Sequence, residues 1–395
     1  MRRDGATDGN PFSRFHAVGA PLSRLRRGST SRTRVAMWSF CRGLLGMSLP
    51  IQNRKIRIAI VGCGRISKNH FDSIEQHVAD LELAAVCDAD PNVLREHAEK
   101  HKVPGYENLE DMLKREKLDL VALCTPSGLH SSQAIVAAKH GVNVMTEKPM
   151  ATRWEDGVRM VKACDEAGVK LFVVKQNRHN ATLQLLKRAV REKRFGKIYM
   201  VHLNVFWTRP QSYYDQAKWR GTWEFDGGAF MNQASHYVDL LDWLIGPVDR
   251  VQAMMSTTRN IEVEDTGVLN VRWRNGALGS MSVTMLTYPK NLEGSITILG
   301  EKGTVRVGGV AVNDIQIWDF AEPRDYDEKI KSASYEATSV YGHGHPLYYK
   351  NIIGVLRGET EAETDGREGL KSLEVLIATY MSARDGRSVS LPLEY

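Results

Sequence analysis

In the first half of the chain, apolar positions come in short, β-branched runs at residues 56–61, 81–87, 118–124, 143–146 and 170–174. Between them lie segments of helical period at 66–78, 91–100, 109–114, 131–140 and 153–167. Runs this short, separated by helices, predict parallel strands joined by right-handed crossovers. The expectation is a doubly wound sheet ending near Val174. After one more helix at 181–193, the pattern shifts to strands at 199–207, 251–256, 267–274, 277–286, 295–299 and 303–307. Asn275-Gly276 is a two-residue hairpin signal. Strands joined by short turns predict a second α+β domain with a mostly antiparallel sheet, one face covered by helices. Two late helices, at 346–357 and 366–384, are expected to pack back on the first domain. The division predicted is 1–50 as a disordered or non-native extension, 51–176 as an α/β dinucleotide-binding domain and 177–395 as a substrate and oligomerisation domain.

Composition changes this picture in one place. The net charge of +6 is misleading, because residues 1–46 hold nine Arg, no Lys and two Asp, or +7. The remainder carries −1 (+6 less +7), so nucleic-acid binding has no global electrostatic support. Segment 1–46 is Arg- and Ser-rich like a transit peptide, and its apolar stretch 35–45 is too interrupted for a secretory signal. We favour an over-extended start, with initiation at Met47. No apolar run is long enough to span a membrane. Five scattered cysteines without Cys-x-x-Cys spacing read as apolar fillers in a reducing, cytoplasmic compartment.

The chemistry sits at strand ends. The first strand ends in Gly62-Cys63-Gly64-Arg65-Ile66-Ser67, a tight turn into a helix start that suits a pyrophosphate. By itself the motif is weak. Asp88 follows the second strand at the spacing of an acid that binds the adenosine ribose, with no Arg or Lys after it to accept a 2′-phosphate. NAD is therefore favoured over NADP; the rival reading is a helix-capping Asp. Thr125, Pro126, Ser127 and His130 follow the 118–124 strand, where such sheets bind ligands, although a plain Ser-capped turn fits equally well. Glu147-Lys148-Pro149 ends another buried strand, an unusual place for a lysine without a partner. Asn232 and His236 are four residues apart, on one face of a helix entered through Gly227-Gly228. The 207–223 segment interleaves Trp207, Tyr213, Trp219 and Trp223 with Arg209, Lys218 and Arg220, which suits a base, a sugar face and a diphosphate, or an oligomer contact. His343 and His345 lack both the spacing of a helical metal site and a nearby carboxylate, so no metal is expected.

Together, Gly-x-Gly-x-x-Ser, Asp88, Glu147-Lys148-Pro149 and the Gly-Gly…His236 helix resemble the glucose–fructose oxidoreductase/inositol dehydrogenase (Gfo/Idh/MocA) family from about Lys55 onward. The resemblance implies a Rossmann domain and NAD(P)-dependent oxidation or reduction of a sugar or cyclitol hydroxyl. It implies catalytic roles for Lys148 and His236, with Asn232 positioning the substrate or the imidazole and with Gln176 and Trp219-Arg220 reaching the cofactor. Family members commonly carry Asp where this chain has Asn232, so either Lys148 or His236 serves as the base. Segments 175–180, 206–210 and 341–346 are similar to those of UDP-N-acetylglucosaminuronate 3-dehydrogenases of bacterial surface-polysaccharide pathways. That narrower likeness implies a UDP-sugar substrate touching Lys148, Asn177, Arg178, Arg209, Tyr213, Asn232 and His236. It also implies a 3-keto product handed to an aminotransferase, and a homodimer or homotetramer. Oxidation of a free cyclitol or sugar, or an NAD-binding sensor without turnover, are the alternatives.

Overall fold

The computed structural model describes residues 49–336 and 344–393. The 1–46 extension, together with Tyr341, Gly342 and His343, lies outside the described residues.

The first unit alternates β1 (Ile56–Val61), α1 (Ser67–Gln76), β2 (Leu81–Cys87), α2 (Pro91–His101), β3 (Gly105–Tyr106), α3 (Leu109–Arg115), β4 (Leu120–Leu123), α4 (His130–Lys139), β5 (Asn143–Thr146), α5 (Trp154–Ala167) and β6 (Leu171–Val173). All pairings are parallel, in the order β3-β2-β1-β4-β5-β6. β4 is buried at every position and apolar throughout, while β5 is equally buried but begins at Asn143 and ends at Thr146. The order reverses between β1 and β4, which opens a crevice at their carboxyl ends.

The second unit holds α6 (Ala181–Arg191), β7 (Ile198–Phe206), α7 (Gln211–Asp215), α8 (Ser235–Leu240), β8 (Val248–Ser256), β9 (Thr266–Trp273), β10 (Leu278–Thr284), β11 (Glu293–Gly300), β12 (Gly303–Gly308), β13 (Asp314–Phe320), α9 (Ile330–Ala333), α10 (His345–Arg357), α11 (Gly366–Asp385) and β14 (Val389–Ser390). Its sheet runs β13-β12-β11-β7-β10-β9-β8-β14. Every pairing is antiparallel except β7 with β10. Gly267, Leu269, Val271 and Trp273 alternate inward along β9, while Val268, Asn270 and Arg272 point out. One face is therefore core and the other is exposed.

Three strands escape the sequence pattern, the two-residue β3 among them. β13 is an edge strand, largely exposed and without a clean alternation, and β14 is only two residues long. The late helices bridge the units: α10 packs on α1, and α11 packs on both α5 and β8. Gly157 on α5 leaves no room for a side chain, since a Cβ there would lie 2.5 Å from Leu373. Among the described residues, no helix is long and apolar enough to cross a membrane.

Candidate active site

The strand ends after β1, β2, β4 and β5 wall one cleft of about 900 Å³, closed on the far side by Tyr213, Trp219, Arg220 and Asn232 of the second unit. Gly62 has φ +89°, and a Cβ there would sit 2.8 Å from the Thr125 backbone nitrogen. Only glycine lets β1 turn this close to the end of β4. At Gly64 the space a Cβ would take is open and faces the cleft. No side chain caps α1, so the positive end of its dipole is available to a ligand, and Gly64, Arg65 and Ile66 line the wall there. These residues fit a dinucleotide pyrophosphate.

Asp88 and Asp90 divide two tasks. Asp90 caps α2 by accepting from the Asn92 and Val93 N–H groups. Asp88 instead accepts from the Cys63 N–H at 2.7 Å and lines the cleft, tying the glycine turn to the end of β2. After β4, Ser127–Leu129 form a single tight turn, and neither it nor α4 has a side-chain cap. Pro126 and Ser127 line the cleft, as does Thr125, whose hydroxyl donates to Gln133 at 2.6 Å. The His130 ring bridges the carbonyls of Pro149 and Thr125, each 2.9 Å away, so it locks two walls of the cleft together. Gly128 donates its N–H to the Phe225 carbonyl, and a Cβ on it would lie 2.0 Å from the Glu224 carbonyl oxygen. The second unit is thereby seated against the end of β4.

At the inner end, Lys148 Nζ donates to the Asn232 carbonyl at 3.0 Å. Burial lowers the lysine pKa; Glu147 and Asp226 oppose this, while Lys175 and Arg209 add to it. His236 is buried and held neutral well below the usual imidazole range, by burial first and then by Lys148 and Lys175. Its Nε2 lies 2.9 Å from the Gln176 side-chain amide; turned so that the amide oxygen, otherwise buried without a partner, accepts from Nε2–H, the neutral ring keeps Nδ1 as its acceptor. A neutral imidazole and a lysine of lowered pKa are both fit to accept a proton.

Two family models match, described as "Oxidoreductase family, NAD-binding Rossmann fold" over residues 56–175 and "Oxidoreductase family, C-terminal alpha/beta domain" over 187–391. This chain belongs to the Gfo/Idh/MocA family of oxidoreductases. Among curated relatives, it is 27% identical to D-apiose dehydrogenase of Paraburkholderia graminis, covering 86% of this chain and 90% of that one. It is 25% identical to myo-inositol 2-dehydrogenase of Thermotoga maritima, covering 85% and 98%. Among solved structures, the WlbA dehydrogenase of Chromobacterium violaceum, in complex with NADH and UDP-GlcNAcA, is 68% identical. Its TM-score is 0.85, over 88% of this chain and 99% of that one. The Bordetella pertussis WlbA dehydrogenase, in complex with the same two molecules, is 65% identical with a TM-score of 0.86, over 87% and 100%.

Within this Gfo/Idh/MocA site, several residues sit differently from the sequence expectation, and none of Asn177, Arg209 and His236 is among the residues lining the cleft. Asn232 and His236 do not share a continuous α-helix: Ala229–Gln233 form a wide π-type turn, and α8 starts only at Ser235. The Asn232 amide accordingly donates to Asp226 and not to His236. Gln176, expected at the cofactor, is the residue that pairs with His236. Arg178, expected at the substrate, is buried in the fold. Its guanidinium is spent on Asp239 at 2.7 and 2.8 Å and on Glu368 at 3.2 and 3.3 Å. Asn177 is buried beside it and does not line the cleft. Arg209 is also outside the lining, lying over Trp207 and Tyr213 at 5.5 and 5.3 Å. Arg220 stacks over Tyr213 at 4.4 Å and Trp219 at 4.7 Å on the cleft wall. His345, apparently without a carboxylate, has Glu147 at 3.4 Å.

Asp226, Glu264 and Asp239 are among the buried acids that carried no assignment. Asp226 accepts from Gly221 N–H and Asn232, and burial pushes its pKa up to about 6. Glu264 accepts from Phe230 N–H and Tyr380 O–H, with burial pushing it up to about 7. Asp239 is held down to about 2: burial would raise it, but Lys175 and Arg178 prevail. Cys63, inside the glycine turn, is pushed up to about 12, chiefly by burial, so it is an inert filler.

Proposed function

We propose that this protein oxidises the ring 3-hydroxyl of UDP-N-acetylglucosaminuronate with NAD⁺, giving the 3-keto sugar in surface-polysaccharide sugar biosynthesis. The observation that carries the reading is the likeness, at 65–68% identity and over essentially the full length of each neighbour, to dehydrogenases holding NADH and UDP-GlcNAcA. When bound against the β1 turn, NAD⁺ supplies the hydride acceptor. Asp88 accepts hydrogen bonds from its adenosine ribose and discourages a 2′-phosphate. Lys148 holds the reacting oxygen, and His236 takes the hydroxyl proton as general base; the reverse assignment uses the same two atoms. Asp226 and the Asn232 carbonyl steady the lysine, while Trp219, Arg220 and Tyr213 offer aromatic faces and a cation to the nucleotide portion. The exposed face of the large sheet, with Met254, Val268 and Leu278, suits pairing with a second copy. A 3-keto sugar suits an aminotransferase as the next enzyme.

Single-turnover NADH formation with UDP-N-acetylglucosaminuronate tests this. Lys148→Met and His236→Ala are each expected to lose about 10²- to 10⁴-fold, the usual worth of an acid–base group. Wild-type rates in both variants would end the mechanism. A free pentose or cyclitol reducing NAD⁺ faster than the nucleotide sugar would replace the substrate.

A further inference from the structure

Glu147 sits where three elements meet, and its carboxylate is 4% exposed as a residue. One oxygen, Oε1, has two imidazole nitrogens on it: His70 Nε2 of α1 at 3.1 Å and His345 Nε2 of α10 at 3.4 Å. The other, Oε2, accepts from the Lys148 backbone N–H at 3.1 Å. His70 is anchored in turn, its Nδ1 lying 2.8 Å from the Tyr349 hydroxyl. The two imidazoles meet edge to face, 5.4 Å apart. Both are buried. Glu147 lines the cleft next to Lys148.

We propose that His70 and His345 are positioning residues that keep Glu147 an ionised, immobile carboxylate and, through it, aim Lys148 at the reacting oxygen. The inference rests on the assignment of Lys148 to the reacting centre. A buried carboxylate is stable only when donors replace the water it has lost. Here each imidazole supplies one through Nε2–H, and the Lys148 peptide N–H supplies a third. Burial would raise the Glu147 pKa, but the His345 and His70 donors prevail and hold it well below the usual carboxylate range. The titratable groups facing it are His70 of α1, Cys124 after β4, Lys148, His130, His236, and His345, Tyr348 and Tyr349 of α10. With Lys175 and Arg209 pulling the Lys148 pKa down, Glu147 is the first opposing charge. The fixed carboxylate therefore sets how much of Lys148 is protonated. α10 joins the site through this contact, although it contributes nothing else to the cleft wall.

One ring nitrogen of His70, one of His345 and a Glu147 carboxylate oxygen lie within 4.8 Å of one another, a spacing that a cation would also tolerate. The hydrogen-bonded reading is favoured because both imidazole contacts converge on one oxygen, and the other oxygen already has its own donor.

The test compares His70→Phe, His345→Phe and the corresponding Gln variants, whose side-chain amide N–H can replace Nε2–H. The readout is the pH dependence of kcat/KM from about pH 5 to 9, with the melting temperature recorded for each. Removing one donor raises the Glu147 pKa, so each Phe variant should gain an acid-side inflection absent from wild type. Its rate should fall about 10- to 100-fold at the acid end and less at the alkaline end. The Gln variants should recover most of that loss. Phe profiles parallel to wild type, or Gln variants as damaged as Phe, would overturn the proposal, as would a stoichiometric metal ion in the wild-type protein. If the Phe variants do not fold, infrared spectra of wild type against Glu147→Gln decide: an ionised carboxylate signal at neutral pH supports the clamp, and a protonated one sinks it. This spectrum is independent of turnover, so a wrong substrate assignment and a wrong clamp give different results.

Discussion

Glu264→Gln should make the protein more stable at alkaline pH and not at acid pH. Glu264 is fully buried, beside the glycines that lead to Asn232. Its Oε1 takes two donors, but Oε2 is buried without a partner. Burial, the leading cause, pushes its pKa up to about 7 from 4.5, helped by the nearby Asp226 charge. Because the folded value is the raised one, the stability from neutral Glu264 is complete below pH 4.5. It declines as the unfolded chain ionises and is gone once the pH passes about 7. Each pH unit in that window is worth about 1.4 kcal/mol. From pH 5 to pH 8, wild type should therefore lose about 2 to 3 kcal/mol relative to the Gln variant. Glutamine keeps an acceptor for Phe230 and Tyr380 and cannot ionise. Asp226, with its own raised pKa, is present in both proteins and largely cancels. Urea unfolding followed by tryptophan fluorescence at the two pH values measures the difference. A gap between the variants that stays constant within about 0.5 kcal/mol would refute the reasoning.

Gly62→Ala should cost at least about 2 kcal/mol of stability, from the φ of +89° and a Cβ 2.8 Å from Thr125 N, and should weaken NAD⁺ binding; calorimetry reads both. Asp88→Ala should raise the NAD⁺ dissociation constant about 10- to 100-fold with little change in kcat, the worth of hydrogen bonds to a charged acceptor. An unchanged affinity would remove Asp88 from the ribose site. Arg178→Met leaves Asp239 buried without its bidentate partner and should lower stability by about 3 to 5 kcal/mol. An unaltered melting curve with a raised substrate KM would return Arg178 to the substrate.

The legible part of this protein is the part written in local patterns. The β2 and β5 runs appear at the lengths expected, because strands inside a parallel sheet bury most of their positions. The glycine turn, Asp88 and Glu147-Lys148 were legible because the ends of buried strands are where polar residues stand out. β13 was not, since an exposed edge strand needs no apolar alternation. The parallel pairing of β7 with β10 was hidden too, because adjacency in sequence says nothing about which distant strand fills a gap.

The chain alone thus determined the fold class, and its local patterns marked the expected cofactor wall and the two candidate acid–base residues. Each depends on a few neighbouring positions and on periods of two or 3.6 residues. Tertiary structure decided which polar groups meet. Glu147 is 77 residues from His70 and 198 from His345, and Gln176 is 60 from His236. Arg178 looked like a cation bound for the cleft until the fold turned it onto Asp239. The physical reason is range: local sequence dictates backbone conformation, whereas the partner of a buried charge depends on which distant elements exclude water around it.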